Sequence, residues 1–301
     1  MDKTIRCRTR KGFALIITLS VLSVMIALVG ILLGYLEKAR TDAAQTRAMI
    51  QANLYYVDMR DTLKKLGKNK KEVMDLLYAY PIPLNSPDGE FSVTIKCDPL
   101  ANGININWLG FENNQTMQIH YETAQHVFDT IVQTYGIKDA ARLQELLLEE
   151  IGEQKKWVQK EQSRLLQKNG IISREQFERI LTRYQFEADD AEANDIAWEK
   201  FFVFDTQSKQ ADGNYLSAEL IALLFGFDIV QVQKDWIAGE INLQTFVQNN
   251  GGEYAKYEKL FYKGFVDEAR CEVQFPYENK KFGFTFVQNH GEIKYFEFHN
   301  K

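Results

Sequence analysis

The sequence lacks the short motifs that mark the common catalytic classes. It contains no Gly-x-Ser-x-Gly turn, no Gly-x4-Gly-Lys phosphate loop and no glycine pattern of a dinucleotide site. Histidine is scarce, and no two histidines have the His-x-x-x-His spacing of a zinc site on a helix. The four are His120, His126, His290 and His299. These absences predict that the protein is not an enzyme.

Beyond the first twelve residues, acidic residues outnumber basic ones. The chain has 36 Lys and Arg against 41 Asp and Glu, yet five of the basic residues and one acidic residue precede Phe13. The rest of the chain is therefore strongly acidic. Because binding to nucleic acid needs a clustered basic face that neutralises phosphates, we expect no nucleic-acid partner.

A run of 24 residues from Gly12 to Tyr35 contains no charge. About 20 apolar residues are enough to cross a bilayer as a helix, whereas the apolar part of a signal peptide has about 7–15. The basic residues before the run place the N-terminus in the cytoplasm. We therefore predict a single pass through a bacterial inner membrane, with the remainder in the periplasm.

The junction before the apolar run reads Arg10-Lys11-Gly12-Phe13-Ala14-Leu15. A short basic leader that ends in Gly and is followed by Phe resembles the leader of type IV pilins and type II secretion pseudopilins. The resemblance implies that a prepilin peptidase cuts between Gly12 and Phe13 and methylates Phe13. The alternative is a plain signal anchor that is not processed.

The fifth residue after the implied cut is Ile17, where most of these proteins have Glu. A carboxylate in an apolar helix is costly without a partner, and in the family the Glu is thought to meet the free amine of the subunit ahead. The large minor pseudopilin at the pseudopilus tip, general secretion pathway protein K, commonly lacks this Glu. This sequence resembles that family; alternatively, Ile17 is simply the better membrane residue.

Helical periodicity continues beyond the apolar run. No Pro or Gly occurs between Tyr35 and Leu66, and Gly67 is placed to end a helix. Apolar residues recur at helical spacing, namely Leu36, Ala43, Ile50, Leu54 and Val57. The pattern predicts one helix from Phe13 to Leu66, about 80 Å long.

Strand and helix signals then alternate along the chain. Gly89–Cys97 alternates apolar and polar residues, residues 114–264 are helical and charged, and three later segments alternate again. These later segments are Cys271–Tyr277, Phe282–Gln288 and Ile293–Phe298. Ser173 followed by Gln176 has the spacing of a capping box at a helix start. Ser217-Ala218-Glu219-Leu220 opens a second helix.

This order resembles protein K and predicts an α+β fold. A pilin-like long N-terminal helix packs on a small antiparallel sheet, and a large all-helical domain is inserted in the sheet. The predicted segments are a leader (1–12), a membrane half (13–35) and an outer half (36–67) of the long helix, the first part of the head (68–112), the insertion (113–265) and the last strands (266–301).

Cys97 and Cys271 lie on the last predicted strand before the insertion and the first strand after it. If these strands are neighbours, the two residues can form a disulfide, which the periplasm permits. The alternative is two buried thiols.

Acidic residues cluster at Glu187, Asp189 and Asp190. Protein K has calcium sites in its helical domain near an Asp-Trp-x-Asp-x-Asp-like segment, which Gln185–Asp190 resembles with Gln and Phe at two positions. Oxygen ligands at short spacing suit calcium, so calcium is the one cofactor that the resemblance implies. The alternative is a solvated acidic loop.

The sequence therefore predicts a non-enzymatic minor pseudopilin at the tip of a type II secretion pseudopilus. Its expected partners are other minor pseudopilins through the N-terminal helix, the inner-membrane secretion assembly, the prepilin peptidase and the lipid bilayer. The alternatives are a minor pilin of a competence or type IV pilus, and a single-pass anchored protein whose periplasmic domain binds a soluble partner.

Overall fold

The computed structural model describes residues 10–65, 67–85, 92–152, 170–204, 208–278 and 280–300. A long N-terminal helix lies against a five-stranded antiparallel sheet, and a helical domain is inserted between two strands of that sheet. The predicted fold class is confirmed.

The long helix, α1, spans Arg10–Lys65 and has 56 residues. It begins three residues before the predicted start, and Leu66 lies outside the described residues. Gly67 has a φ of 50°, a left-handed conformation that glycine adopts without steric cost, and α1 ends there as predicted. A short helix, α2 (Lys70–Ala79), follows, which was not predicted from the sequence.

Seven strands occur in the described residues. They are β1 (Ile82–Asn85), β2 (Ser92–Pro99), β3 (Ile104–Asn105), β4 (Phe202–Val203), β5 (Glu268–Tyr277), β6 (Lys280–Asn289) and β7 (Glu292–Asn300). The large sheet has the order β1-β2-β5-β6-β7, and every pair in it is antiparallel. The predicted late strands are confirmed to within a few residues, whereas β1 was not predicted. The start of the predicted early strand, residues 89–91, lies outside the described residues.

The insertion between β2 and β5 contains seven helices in its described part. They are α3 (Gln118–Thr134), α4 (Ala140–Ile151), α5 (Arg174–Ala188), α6 (Glu192–Asp195), α7 (Ala218–Phe225), α8 (Ile229–Asp235) and α9 (Leu243–Asn249). Ser173 and Ser217 cap α5 and α7 by accepting hydrogen bonds from the backbone N–H of Gln176 and Leu220, as predicted. The parallel pair β3 and β4 adds two short strands that the sequence analysis did not foresee.

The head and the insertion have separate hydrophobic cores. The core of the head joins α1 and α2 to the large sheet, through residues such as Met59, Val273 and Phe284. The core of the insertion contains Trp108, Phe128 and other residues from 104 onwards. Two cores mean that the insertion is a unit of its own, attached at the ends of β2 and β5.

Candidate assembly surface

The outer half of α1 has two faces. The face that packs on the sheet is buried and consists of Ala48, Ala52, Tyr55, Met59 and Leu63. The other face is exposed and consists of the residues of the predicted repeat, Leu36, Ala43, Ile50, Leu54 and Val57. At about 100° of rotation per residue, the centres of the two sets lie about 180° apart. We name the second set the apolar stripe.

The apolar stripe has the character of a contact surface. Ile50 and Leu54 are 58% and 56% exposed, although both are large aliphatic residues. Among the described residues, no part of the head or insertion covers them. Exposed apolar side chains that recur along one face of a helix are typical of a surface that binds another protein or a membrane.

Aromatic contacts fix the direction in which the apolar stripe faces. The ring of Tyr55 meets Phe275 edge-on, with centroids 5.2 Å apart, and the ring of Tyr56 meets Phe296 at 5.1 Å. The hydroxyl of Tyr56 also donates a hydrogen bond to the carbonyl oxygen of Ile293 at 3.1 Å. These contacts prevent α1 from rotating about its axis, so the stripe points away from the sheet.

The apolar stripe continues into the apolar N-terminal half of α1. In the described part of the chain, α1 is the one helix long and apolar enough to cross a membrane by length and composition. Ile17 lies in this half and is 47% exposed. Most of the predicted leader, with Cys7, lies outside the described residues. The burial of Gly12 and of the side chain of Phe13 is likewise not described. Cleavage between these two residues stays a prediction.

A disulfide joins the two strands from which the insertion leaves the sheet. Cys97 and Cys271 face each other across β2 and β5, with Cα atoms 4.0 Å apart, and both are fully buried. Their sulfur atoms are bonded in the structure. The bond joins two residues that are 174 positions apart in the chain, and the segment between them contains the whole insertion.

A second link connects the insertion to the head through α2. The hydroxyl of Tyr215 donates a hydrogen bond to Asp75 at 2.5 Å, and its ring meets Tyr78 edge-on at 5.1 Å. Gly239 packs closely against the ring of Tyr215, since a Cβ at Gly239 would lie 2.8 Å from that ring. Tyr215 therefore holds the insertion against α2 of the head.

Asp212 is the buried carboxyl group of this junction. It is 4% exposed and accepts a hydrogen bond from the backbone N–H of Asn214 at 3.1 Å. Burial disfavours its charged form and raises its pKa to about 6, although hydrogen bonds from backbone N–H groups and the charge of Lys71 oppose the shift. Asp212 therefore titrates well above the range of an exposed aspartate.

The residues predicted to bind calcium have other partners in the structure. Glu187 accepts hydrogen bonds from the guanidinium groups of Arg142 at 2.6 Å and Arg183 at 2.8 Å, which hold its pKa below the usual value. Asp189 lies at the end of α5 with a φ of 48°.

Asp190 is fully buried and also engaged by protein donors. Burial alone raises the pKa of Asp190, but hydrogen bonds from the N–H of Lys138, the hydroxyl of Tyr184 and the N–H of Glu192 lower it overall. Within the described ranges, no three His, Cys, Asp or Glu residues converge as a metal site requires. This arrangement does not fit calcium, and calcium binding stays an untested prediction.

A cavity of about 620 Å³ lies between the insertion and the sheet. Trp108 and Phe204 line it from the insertion, and Arg270, Tyr295 and Glu297 line it from the sheet. Because aromatic rings and charges of both signs are mixed, the lining does not favour one class of ligand.

The junction of Asp75, Tyr215 and Asp212 was not predicted from the sequence. The only signal was the Asp212-Gly213-Asn214 turn, in which Asp caps the following short turn. The face of α1 that packs on the head was not predicted either, because Ala48 and Ala52 are small and do not stand out in the pattern of large apolar residues.

The comparison with solved structures agrees with this description. The fold is similar to one chain in the crystal structure of the GspK-GspI-GspJ complex from the Type 2 Secretion System of enterotoxigenic Escherichia coli. The TM-score is 0.50 and the identity 10%, over 85% of this chain and 99% of that chain. The sequence matches no family model and no curated protein. At this identity the likeness establishes a pseudopilin-like fold.

Proposed function

We propose that the protein is a minor pseudopilin of the protein K type. In this proposal, α1 anchors it in the bacterial inner membrane with the head in the periplasm, and a prepilin peptidase removes the leader after Gly12. The subunit then assembles at the tip of a type II secretion pseudopilus and supports export across the outer membrane. Its role is mechanical and not enzymatic.

The observation that carries the proposal is the apolar stripe on the face of α1 opposite the head. A subunit that moves from lipid into a fibre exchanges one apolar surrounding for another. Close packing and polar contacts between helices therefore determine whether assembly is favourable. The stripe gives the helices of companion minor pseudopilins a surface to pack on. The fold supports the proposal, because a similar fold occurs in a complex of three proteins of that secretion system.

The tip position rests on Ile17. A subunit at the end of the fibre has no neighbour ahead whose free amine could pair with a carboxylate. An unpaired carboxylate in an apolar surrounding is costly, and Ile17 avoids this cost. The insertion adds a second reason, because this additional domain on the head takes up space that a further subunit would need.

A charge placed in the apolar stripe tests the proposal. We expect Ile50→Asp to lower the recovery of companion pseudopilins in detergent-extracted complexes at least about tenfold, because a buried charge without a partner is costly. Thr41→Asp is the matched control, since Thr41 is exposed and lies on the opposite face of α1 below the head. Equal recovery for the two variants, with an intact head, would contradict the proposal.

A minor pilin of a competence or type IV pilus is the second candidate, because the leader and the two-faced α1 suit either fibre. Deletion of the chain separates the candidates. Loss of exported enzymes from the medium indicates the secretion system, whereas loss of DNA uptake or of surface pili indicates the second candidate.

A further inference from the structure

One exposed turn of the insertion carries a sequence pattern with its own chemistry. Asn114-Gln115-Thr116 is the single Asn-x-Ser/Thr triplet in the chain, and its middle residue is not Pro. In proteins outside the cytoplasm, this triplet is the acceptor pattern for N-linked glycans. We propose that Asn114 is a glycosylation site. The proposal rests on the periplasmic placement of the head under the proposed function.

The turn is exposed to solvent. Residues 112–116 are all exposed, which makes the longest exposed stretch between β3 and α3. The backbone is nevertheless fixed, because the N–H of Asn114 donates to the carbonyl of Phe111 and the carbonyl of Asn114 accepts from Met117, both at 2.9 Å. A glycan on Asn114 would therefore project into solvent without disturbing a buried contact.

The side chain of Asn114 is arranged as a nucleophile requires. Its Oδ1 accepts hydrogen bonds from the backbone N–H of Thr116 at 3.1 Å and from the hydroxyl of Thr116 at 2.8 Å. Two donors on Oδ1 stabilise negative charge on that oxygen, which develops when the amide nitrogen loses a proton and attacks. In the described part of the chain, Nδ2 donates no hydrogen bond and is free to react.

The reaction needs a second substrate, which is an oligosaccharide linked to a polyprenyl pyrophosphate. The Nδ2 atom forms a bond to the anomeric carbon of the sugar, and the bond from that carbon to the pyrophosphate oxygen breaks. The pyrophosphate leaves with the electron pair, and a base of the oligosaccharyltransferase takes the proton from Nδ2. The product keeps Oδ1 as an acceptor, so the turn persists after modification.

Glu112 adds a recognition element two residues before the asparagine. It is exposed and acidic, and therefore offers an ion-pair partner to a basic group on the transferase. Asn113, between the two, is a built-in control. It is equally exposed but is followed by Asn114 and Gln115, so it lacks the hydroxyl residue that the pattern requires.

The test uses the full chain with an Asp-Gln-Asn-Ala-Thr acceptor tag after Lys301, in bacteria that contain a membrane oligosaccharyltransferase and a lipid-linked oligosaccharide of known mass. Intact mass should show two glycans on this chain. Asn114→Gln and Thr116→Val should each show one, while Asn113→Gln and Thr116→Ser should keep two. Circular dichroism of each variant confirms that it is folded.

Each other outcome is decisive. One glycan on the tag and none on Asn114 would overturn the glycosylation proposal and leave the periplasmic placement intact. A chain without any glycan, beside a modified periplasmic control protein, would show that the head is not in the periplasm. That result would overturn the proposed function and the glycosylation site together.

Discussion

Ile50 and Ala52 are two positions apart on α1 and lie on opposite faces of it. Ile50 is 58% exposed, whereas Ala52 is fully buried under the sheet. Two residues at this spacing differ by about 200° around a helix, so a sheet that covers Ala52 turns Ile50 outward. The exposed apolar stripe is therefore a consequence of how the head docks on α1.

The close approach of α1 to the sheet predicts the effect of a larger side chain at Ala52. We expect Ala52→Leu to lower the free energy of unfolding of the head by about 1–3 kcal/mol, because the extra volume has no space. Ala43→Leu is the control, since Ala43 is exposed in the apolar stripe. Guanidinium unfolding in detergent measures both, and equal values would mean that Ala52 is not at a packed interface.

The link through Tyr215 predicts a defined loss of stability. We expect Tyr215→Phe to lower the free energy of unfolding by about 1.5–3 kcal/mol, because Asp75 loses the hydroxyl that donates a hydrogen bond to it. Tyr262→Phe serves as the control, because Tyr262 is half exposed and lies in a loop of the same insertion. A loss below about 0.5 kcal/mol for Tyr215→Phe would show that the hydrogen bond adds nothing.

The buried carboxyl of Asp212 predicts a pH dependence with a defined sign. Its pKa is raised to about 6 in the folded protein, from 3.8 for a free side chain. Between these values the folded state holds a proton that the unfolded state has lost, so unfolding releases a proton and stability falls as pH rises. The free energy of unfolding above pH 6 is therefore lower than that below pH 4 by about 3 kcal/mol from this group.

Comparison with Asp212→Asn isolates this contribution, because Asn keeps an acceptor for the N–H of Asn214. The stability of the wild type minus that of the variant should fall as pH is raised from about 4 to 6, and stay level above that. Urea unfolding over this range provides the data. A difference that does not change with pH would place the pKa of Asp212 near its free value.

The bond between Cys97 and Cys271 predicts the thiol chemistry of the full chain. Without reductant, alkylation of the chain from a strain that lacks the prepilin peptidase, which keeps Cys7, should modify Cys7 alone; after reduction and unfolding it should modify three cysteines. We expect replacement of both paired cysteines by Ala to cost about 2–5 kcal/mol, since the bond closes a long segment. Three alkylated cysteines before reduction would contradict the bond.

Much of the fold could be predicted because each element has a local signal. The long helix could be predicted because no Pro occurs between Tyr35 and Leu66. Its end could be predicted because Gly67 adopts a left-handed backbone conformation, which favours glycine. The late strands could be predicted from the alternation of apolar and polar residues. The caps at Ser173 and Ser217 could be predicted because each hydroxyl accepts a hydrogen bond from a backbone N–H three residues later. In each case the deciding interaction lies within a few residues.

The features that could not be predicted depend on contacts distant in sequence. Tyr215, which donates a hydrogen bond to Asp75, is 140 residues away from it along the chain. Arg142, which donates a hydrogen bond to Glu187, is 45 residues away from it. The sequence of an acidic cluster such as Glu187, Asp189 and Asp190 is the same whether hydrogen-bond donors of the protein or a bound metal ion stabilise its charges. Likewise, the repeat of the apolar stripe predicts a helix but does not reveal which face the head covers.

The most direct test of the central claim is the intact mass of the chain extracted from membranes, with the prepilin peptidase present and with it deleted. The account predicts a species that starts at methylated Phe13 in the first case and at Met1 in the second. A chain that starts at Met1 in both strains would contradict assembly as a pseudopilin and leave α1 as an ordinary membrane anchor.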